Sequence, residues 1–175
     1  MMNVLTRLPL LSAPLGALSL MLALSSCAVD TTSPTTVGSG NLFDATIRGS
    51  RISFDPESLA LPPSYDASAH RGTFTGTVVG DTTRTLVVAF TYDIDNASLP
   101  KTLTGSDVSI TYAEKVGTTN LTYDCAVGGT DCAITLTATD KHTVDGTFTA
   151  KLTSAVAPTR SLSITNGSFS VKLNR

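Results

Sequence analysis

The chain predicts an all-β domain, an antiparallel up-and-down meander of about ten strands closed into a barrel or flattened into a two-sheet sandwich. Three observations predict it. Apolar residues recur at every second position from Leu42 to Leu173, the period of a half-buried strand. Turn residues punctuate these runs at short intervals, and no stretch after residue 41 keeps an apolar face at helical spacing. Threonine, β-branched and able to bond water without charge, dresses the alternate positions.

Taken in order, Phe43, Ala45 and Ile47 alternate with Asp44, Thr46 and Arg48, and Ile52 and Phe54 resume the pattern after a turn. A two-residue turn at Gly49-Ser50 would set Ile47 opposite Ile52 and Ala45 opposite Phe54. Residues 56–70, with Pro56, Pro62 and Pro63, read as a long loop with room for a helical turn over Glu57 to Ala60. Strands follow at about 72–80 (Phe74, Val78) and 84–92. The second carries Leu86, Val88, Phe90 and Tyr92 on one face and Val87 and Ala89 on the other, as suits a strand covered on both sides. Asp93 to Gly105 reads as another loop, and Val108, Ile110 and Tyr112 mark the next strand.

Leu121, Tyr123 and Cys125 share a face, as do Cys132, Ile134, Leu136 and Ala138. A hairpin turning at Gly128-Gly129 would pair Cys125 with Cys132, Tyr123 with Ile134 and Leu121 with Leu136. After Asp140-Lys141-His142, residues 144–153 point Phe148, Ala150 and Leu152 inward. Leu162 and Ile164, then Asn166-Gly167, then Phe169, Val171 and Leu173 form either a terminal hairpin or one long strand with a glycine bulge. The tripeptide Gly-Thr/Ser-Phe recurs at 72–74, 146–148 and 167–169. Each copy reads as the start of a strand, with the glycine permitting a bend and the phenylalanine filling the core.

The first 41 residues follow other rules. Arg7 precedes an apolar segment from Leu8 to Leu24, which Ser25-Ser26 separates from Cys27. A membrane-spanning helix is the competing reading, but it wants about 20 uninterrupted apolar residues. This segment is shorter and broken by Pro9, Pro14 and Gly16. A secretory leader over 1–26 is the better match. Residues 27–40 are Gly/Ser/Thr/Pro-rich, the composition of a tether, and 41–175 is the β-domain.

Leu24-Ser25-Ser26-Cys27 resembles the lipobox of bacterial lipoproteins. That resemblance implies cleavage before Cys27, acylation of its thiol, and an address on the cell envelope held by membrane lipid. Ala28, rather than an aspartate, follows the cysteine, which by the same resemblance implies the outer membrane. Gly146-Thr147-Phe148 with Ile164-Thr165-Asn166-Gly167-Ser168-Phe169, and the opening Ala45-Thr46-Ile47-Arg48-Gly49, are similar to an all-β domain of small Bacteroidota lipoproteins. That family implies architecture and address, and supplies no catalytic residues.

Without the leader, eleven basic residues stand against fourteen acidic ones, a formal charge of −3. This mild, unclustered balance gives no basic stripe for nucleic acid and no polybasic patch for anionic lipid. With Cys27 set aside, Cys125 and Cys132 remain as an even pair in an oxidising compartment, the setting of a disulfide. Their six-residue gap does not suit a Cys-x-x-Cys redox motif, and no further Cys or His lies near enough in sequence to complete a zinc shell.

The chemistry-bearing residues are sparse. His70 and His142 fall in loops, with no nucleophile elbow or metalloprotease motif beside them. A catalytic triad assembled in space is the weaker reading. Asp93-Ile94-Asp95-Asn96 hints at a calcium loop, but Ser98 and Thr104 stand where an EF-hand needs Gly and Glu. A solvated loop suits it better, and Asp140 and Asp145 read as turn formers. Among Tyr65, Tyr92, Tyr112 and Tyr123, only Tyr65 is placed to be exposed. The expectation is a non-enzymatic binding or scaffold module without metal or cofactor, its partner an envelope protein. The alternative is a lipocalin-like carrier whose cavity Phe74, Phe90, Phe148 and Leu136 would line around a small apolar ligand.

Overall fold

The computed structural model describes residues 42–57, 61–96, 98–126, 128–140, 142–156 and 159–175. The leader, Cys27, the tether and most of the Glu57–Ala60 turn lie outside them. Among the described residues the chain forms eleven strands and one turn of 3-10 helix, Gly105–Asp107. The strands are β1 Leu42–Ile47, β2 Ser50–Asp55, β3 Ser64–Asp66, β4 Arg71–Val78, β5 Asp81–Thr91 and β6 Lys101–Thr104. β7 Val108–Val116, β8 Thr119–Asp124, β9 Cys132–Thr139, β10 Thr143–Ser154 and β11 Ser161–Lys172 complete the series.

Eight of them close an antiparallel barrel in the order β1-β2-β4-β5-β7-β8-β10-β11, with β11 returning to β1. Closure removes the free edges a sandwich would leave. β3 adds to β4, and β9 and β6 extend outward from β10. Along β10, Val144, Phe148, Ala150 and Leu152 are buried, while Thr147, Thr149, Lys151 and Thr153 are exposed. The apolar face turns inward, the reverse of a barrel that spans hydrocarbon.

Four local readings need correction. The first hairpin turns at Arg48-Gly49, both with positive φ (52° and 80°), so Ile47 faces Ser50 and Ala45 faces Ile52. The slip is two residues from the expected register, and a two-residue slip keeps every side chain on its face. The hairpin joining 121–125 to 132–138 does not form. β8 lies between β7 and the tip of β10, where Asp124 meets Thr153, whereas β9 runs along β10 below that point, Cys132 opposite Ala150. Ser161–Lys172 is one bulged strand, the competing of the two readings, and the Asn166-Gly167 hairpin does not form. Asn166, at φ 49°, is the extra residue of a bulge that shifts the register against both β1 and β10. The two loops contain short strands, β3 and β6, each pairing with a longer neighbour.

The Gly-Thr/Ser-Phe repeat works by cross-strand packing rather than by bending. Gly146 lies opposite Phe169, and Gly167 opposite Phe148, so the two copies interlock. A Cβ at Gly146 would sit 2.5 Å from the Phe169 ring and 2.6 Å from the Thr135 carbonyl oxygen. Gly72 is likewise covered by the ring of Phe90, its partner on β5. Each glycine lets an aromatic ring lie flat across the strand beside it. Inside the barrel the Phe43 ring stands 5.2 Å from Phe54, 5.3 Å from Phe74 and 5.9 Å from Phe148, and Phe74 stands 4.7 Å from Phe169. These are contact distances for tilted and edge-on pairs.

Candidate functional site

Up-and-down connectivity sorts the chemistry to two ends. The two-residue turns β1–β2, β4–β5 and β7–β8 and the longer β10–β11 connection share one end. The connections carrying β3 and β6, the start of β1 and the end of the chain belong to the other.

At the turn end, β7 directs Val108, Ile110 and Tyr112 inward, and the same alternation carries Glu114 in, 6% exposed. The carboxylate is met from another strand. Arg48, swung out of strand alternation by its positive φ, donates from Nη1 to Glu114 Oε2 (2.8 Å) and from Nη2 to Oε1 (2.5 Å). Tyr123 Oη donates to the same Oε1 at 3.2 Å. The paired donation from Arg48, opposed by burial, holds the Glu114 carboxyl below the usual carboxylate range. Burial is also the main cause that pushes the Tyr112 phenol up. Period two alone makes Arg48 an outward residue, so sequence reasoning missed this contact. Arg-Gly at a two-residue turn was the available signal.

At the loop end, Tyr65 is buried, contrary to its expected exposure, because β3 pins it beside β4. Its hydroxyl donates to the Tyr92 carbonyl (3.1 Å), accepts from the Ile94 amide (3.3 Å) and lies 3.5 Å from His70 Nδ1. His70 in turn stands 3.8 Å from Asp93. Burial pushes the Tyr65 phenol up. The guanidinium of Arg175 rests 5.3 Å from the Tyr65 ring centre and pairs with Asp95 at 2.5 Å. Backbone bonds between Tyr65 and Asn174, and between Asn174 and Pro63, tie the chain end to β3.

The remaining expected residues are dispersed. Cys125 and Cys132 form the disulfide, Cα atoms 6.2 Å apart, at the fork where β10 changes partner from β9 to β8. His142 sits in the β9–β10 turn, where the Asp140 carboxylate accepts its amide and that of Thr143. Asp140 is the turn former expected; Asp145 is not, since it lies within β10 with one buried oxygen unbonded. The Asp93 carboxylate accepts from the amides of Asp95 and Asn96 and from the Asn96 side chain, organising its own loop. No group of three or more His, Cys, Asp or Glu side chains that could hold a metal occurs among the described residues. His70 therefore meets a tyrosyl hydroxyl and a carboxylate, and the head of that series is buried.

Phe74, Phe90, Phe148 and Leu136 are all at most 2% exposed. The two clefts of note are open to solvent: one of about 320 Å³ beside Leu42, Asp44, Ser53 and Val79, another of about 100 Å³ beside Arg71, Ala89 and Ser109. No protein-family model, curated protein or solved structure matches the chain.

Proposed function

We propose that this is a lipoprotein of the bacterial outer membrane, held through acylated Cys27, whose barrel acts as a rigid, non-enzymatic scaffold or binding module. The observation that carries the scaffold reading is the occupied barrel. Five phenylalanine rings pack at 4.7–5.9 Å along its interior, and side chains of the chain itself meet at each end. A ligand carrier needs an enclosed pocket of roughly 300 Å³ or more, and filling that space with the protein's own rings favours the scaffold over the lipocalin-like alternative. The address is supported by the Leu24–Cys27 motif, since two or more acyl chains anchor stably where one does not.

Fractionation of cells expressing Cys27→Ala tests the address, and the variant should leave the membrane fraction for the soluble one. Retention in the membrane would overturn the anchor. Organic extraction of the purified protein followed by mass spectrometry tests the scaffold. A stoichiometric apolar molecule not attached to Cys27 would replace it with the carrier.

A further inference from the structure

The ladders that close the barrel are unequal among the described residues. β8 meets β10 through two residue pairs, Tyr123 with Ser154 and Asp124 with Thr153. β2 meets β4 through two as well, Phe54 with Val78 and Asp55 with Thr77, extended by one bond from the Val79 amide to the Ser53 carbonyl. Each of the other six ladders carries four to ten pairs. The barrel is therefore two four-stranded sheets, β4-β5-β7-β8 and β10-β11-β1-β2, joined along two narrow seams. The β8–β10 seam also stops short. Below it β8 stays on β7, the Cys125 amide donating to the Ile110 carbonyl at 3.2 Å, while β9 stays on β10 with Cys132 opposite Ala150. No hydrogen bond passes from β9 to β7 or β8 among the described residues. The Cys125–Cys132 bond spans this gap. Arg48 with Glu114 also ties the two sheets, but across the mouth rather than along the seam. On the inner side Ile110, Tyr123, Ile134 and Leu152 are each at most 1% exposed, so a parting here would wet the core.

We propose that Cys125–Cys132 is a redox-sensitive clasp: a dithiol reductant that breaks it opens the barrel wall along the β8–β10 seam, and reoxidation closes it. Cys125 is partly exposed and Cys132 is 2% exposed, so attack falls on Cys125 Sγ. A thiolate of the reductant bonds to that sulfur, the Sγ–Sγ bond breaks, and Cys132 leaves with the bonding pair and takes up a proton. The reductant's second thiolate then displaces Cys125, whose sulfur is protonated in turn, and the reductant departs as its own disulfide. The Cys132 thiol is a small, weakly polar group suited to burial, so the crosslink is lost without a charge being left inside. Two residue pairs then hold the seam alone, and local opening is easiest where the fewest hydrogen bonds must break. Oxidised, the barrel is the rigid module proposed above; reduced, it has a movable wall.

Hydrogen exchange read by mass spectrometry on the full chain, with dithiothreitol as the probe, tests the clasp. In native buffer the reagent should release two further alkylatable thiols. Exchange should then quicken by about tenfold or more in 119–124, 132–136 and 150–154, while the β4–β5 and β1–β11 ladders keep their native rates. Cys125→Ser with Cys132→Ser should show the same pattern without reductant, and oxidised glutathione should restore native exchange to the reduced wild-type chain alone. Val171→Ala, which trims a fully buried side chain of β11 with the disulfide intact, controls for lost stability and should not favour the seam. Reduction that proceeds only in denaturant would overturn the proposal. So would exchange that quickens evenly over every strand, or seam-selective opening in Val171→Ala.

Discussion

At the turn end, a half-exposed arginine reaches from one hairpin to a carboxylate on β7; at the loop end, a buried tyrosine is held by backbone groups and by the chain's own last residues. The first contact is mainly charge, an ion pair set beside the buried Tyr123 ring. The second is mainly burial, with hydrogen bonds satisfying the one polar atom taken inside. The difference teaches where each end is vulnerable: charge answers to pH and salt, burial to the loss of volume.

The widest separation between the ends comes from volume. Tyr65→Ala removes a ring that is 3% exposed and leaves Tyr92 and Ile94 without their side-chain partner. It should cost about 3–5 kcal/mol of unfolding free energy, the range of a large aromatic truncated in a core. Urea denaturation measures it, and a loss below about 1 kcal/mol would mean the loop end is not built around this side chain. A smaller effect is expected between the ends. Cys125→Ala with Cys132→Ala frees the fork beside β10 and should cost about 2–3 kcal/mol from loop-closure entropy in non-reducing buffer. The same variant should lose nothing further in a reductant that destabilises the native chain.

These contrasts also mark what could be read from residues alone. Alternation in Phe43–Ile47 and in Phe148–Leu152 announces which side chains face inward, because pleat and burial share one local period. It does not name partners. Cys132 to Leu136 fits the face of β8 as well as that of β10, and the parity that made the 121–125/132–138 hairpin plausible also permits the observed pairing with 146–150. Barrel closure, a condition on all eight strands at once, decides between them. β3 escaped notice because Ser64–Asp66 is too short to show a period, and with it went the burial of Tyr65. Asn166-Gly167 failed as a hairpin for a related reason. Ile164 and Phe169 both find partners on β1 and β10, so a bulge accommodates the left-handed residue without reversing the chain.

The smallest effect is the most diagnostic, since it isolates charge at the turn end. Arg48→Ala keeps a non-glycine residue at φ 52°, so the backbone cost of the turn is unchanged and only the guanidinium is lost. Breaking a fully buried pair costs about 3–5 kcal/mol, but Arg48 is more than half exposed and solvent screens its share, which leaves about 1–2 kcal/mol at neutral pH. Glu114 has a lowered carboxyl pKa in the folded chain. Its contribution is therefore complete above the unfolded value of about 4.3 and disappears as pH falls through the folded one. The stability gap between native chain and variant should be widest at neutral pH and close in acid, while Asp66, Asp93 and Asp140 titrate alike in both proteins and cancel. Denaturation of the two proteins on both sides of that window measures the gap. If it stays constant with pH, Arg48 acts by packing over the mouth, and both ends of the barrel are then closed by the same force.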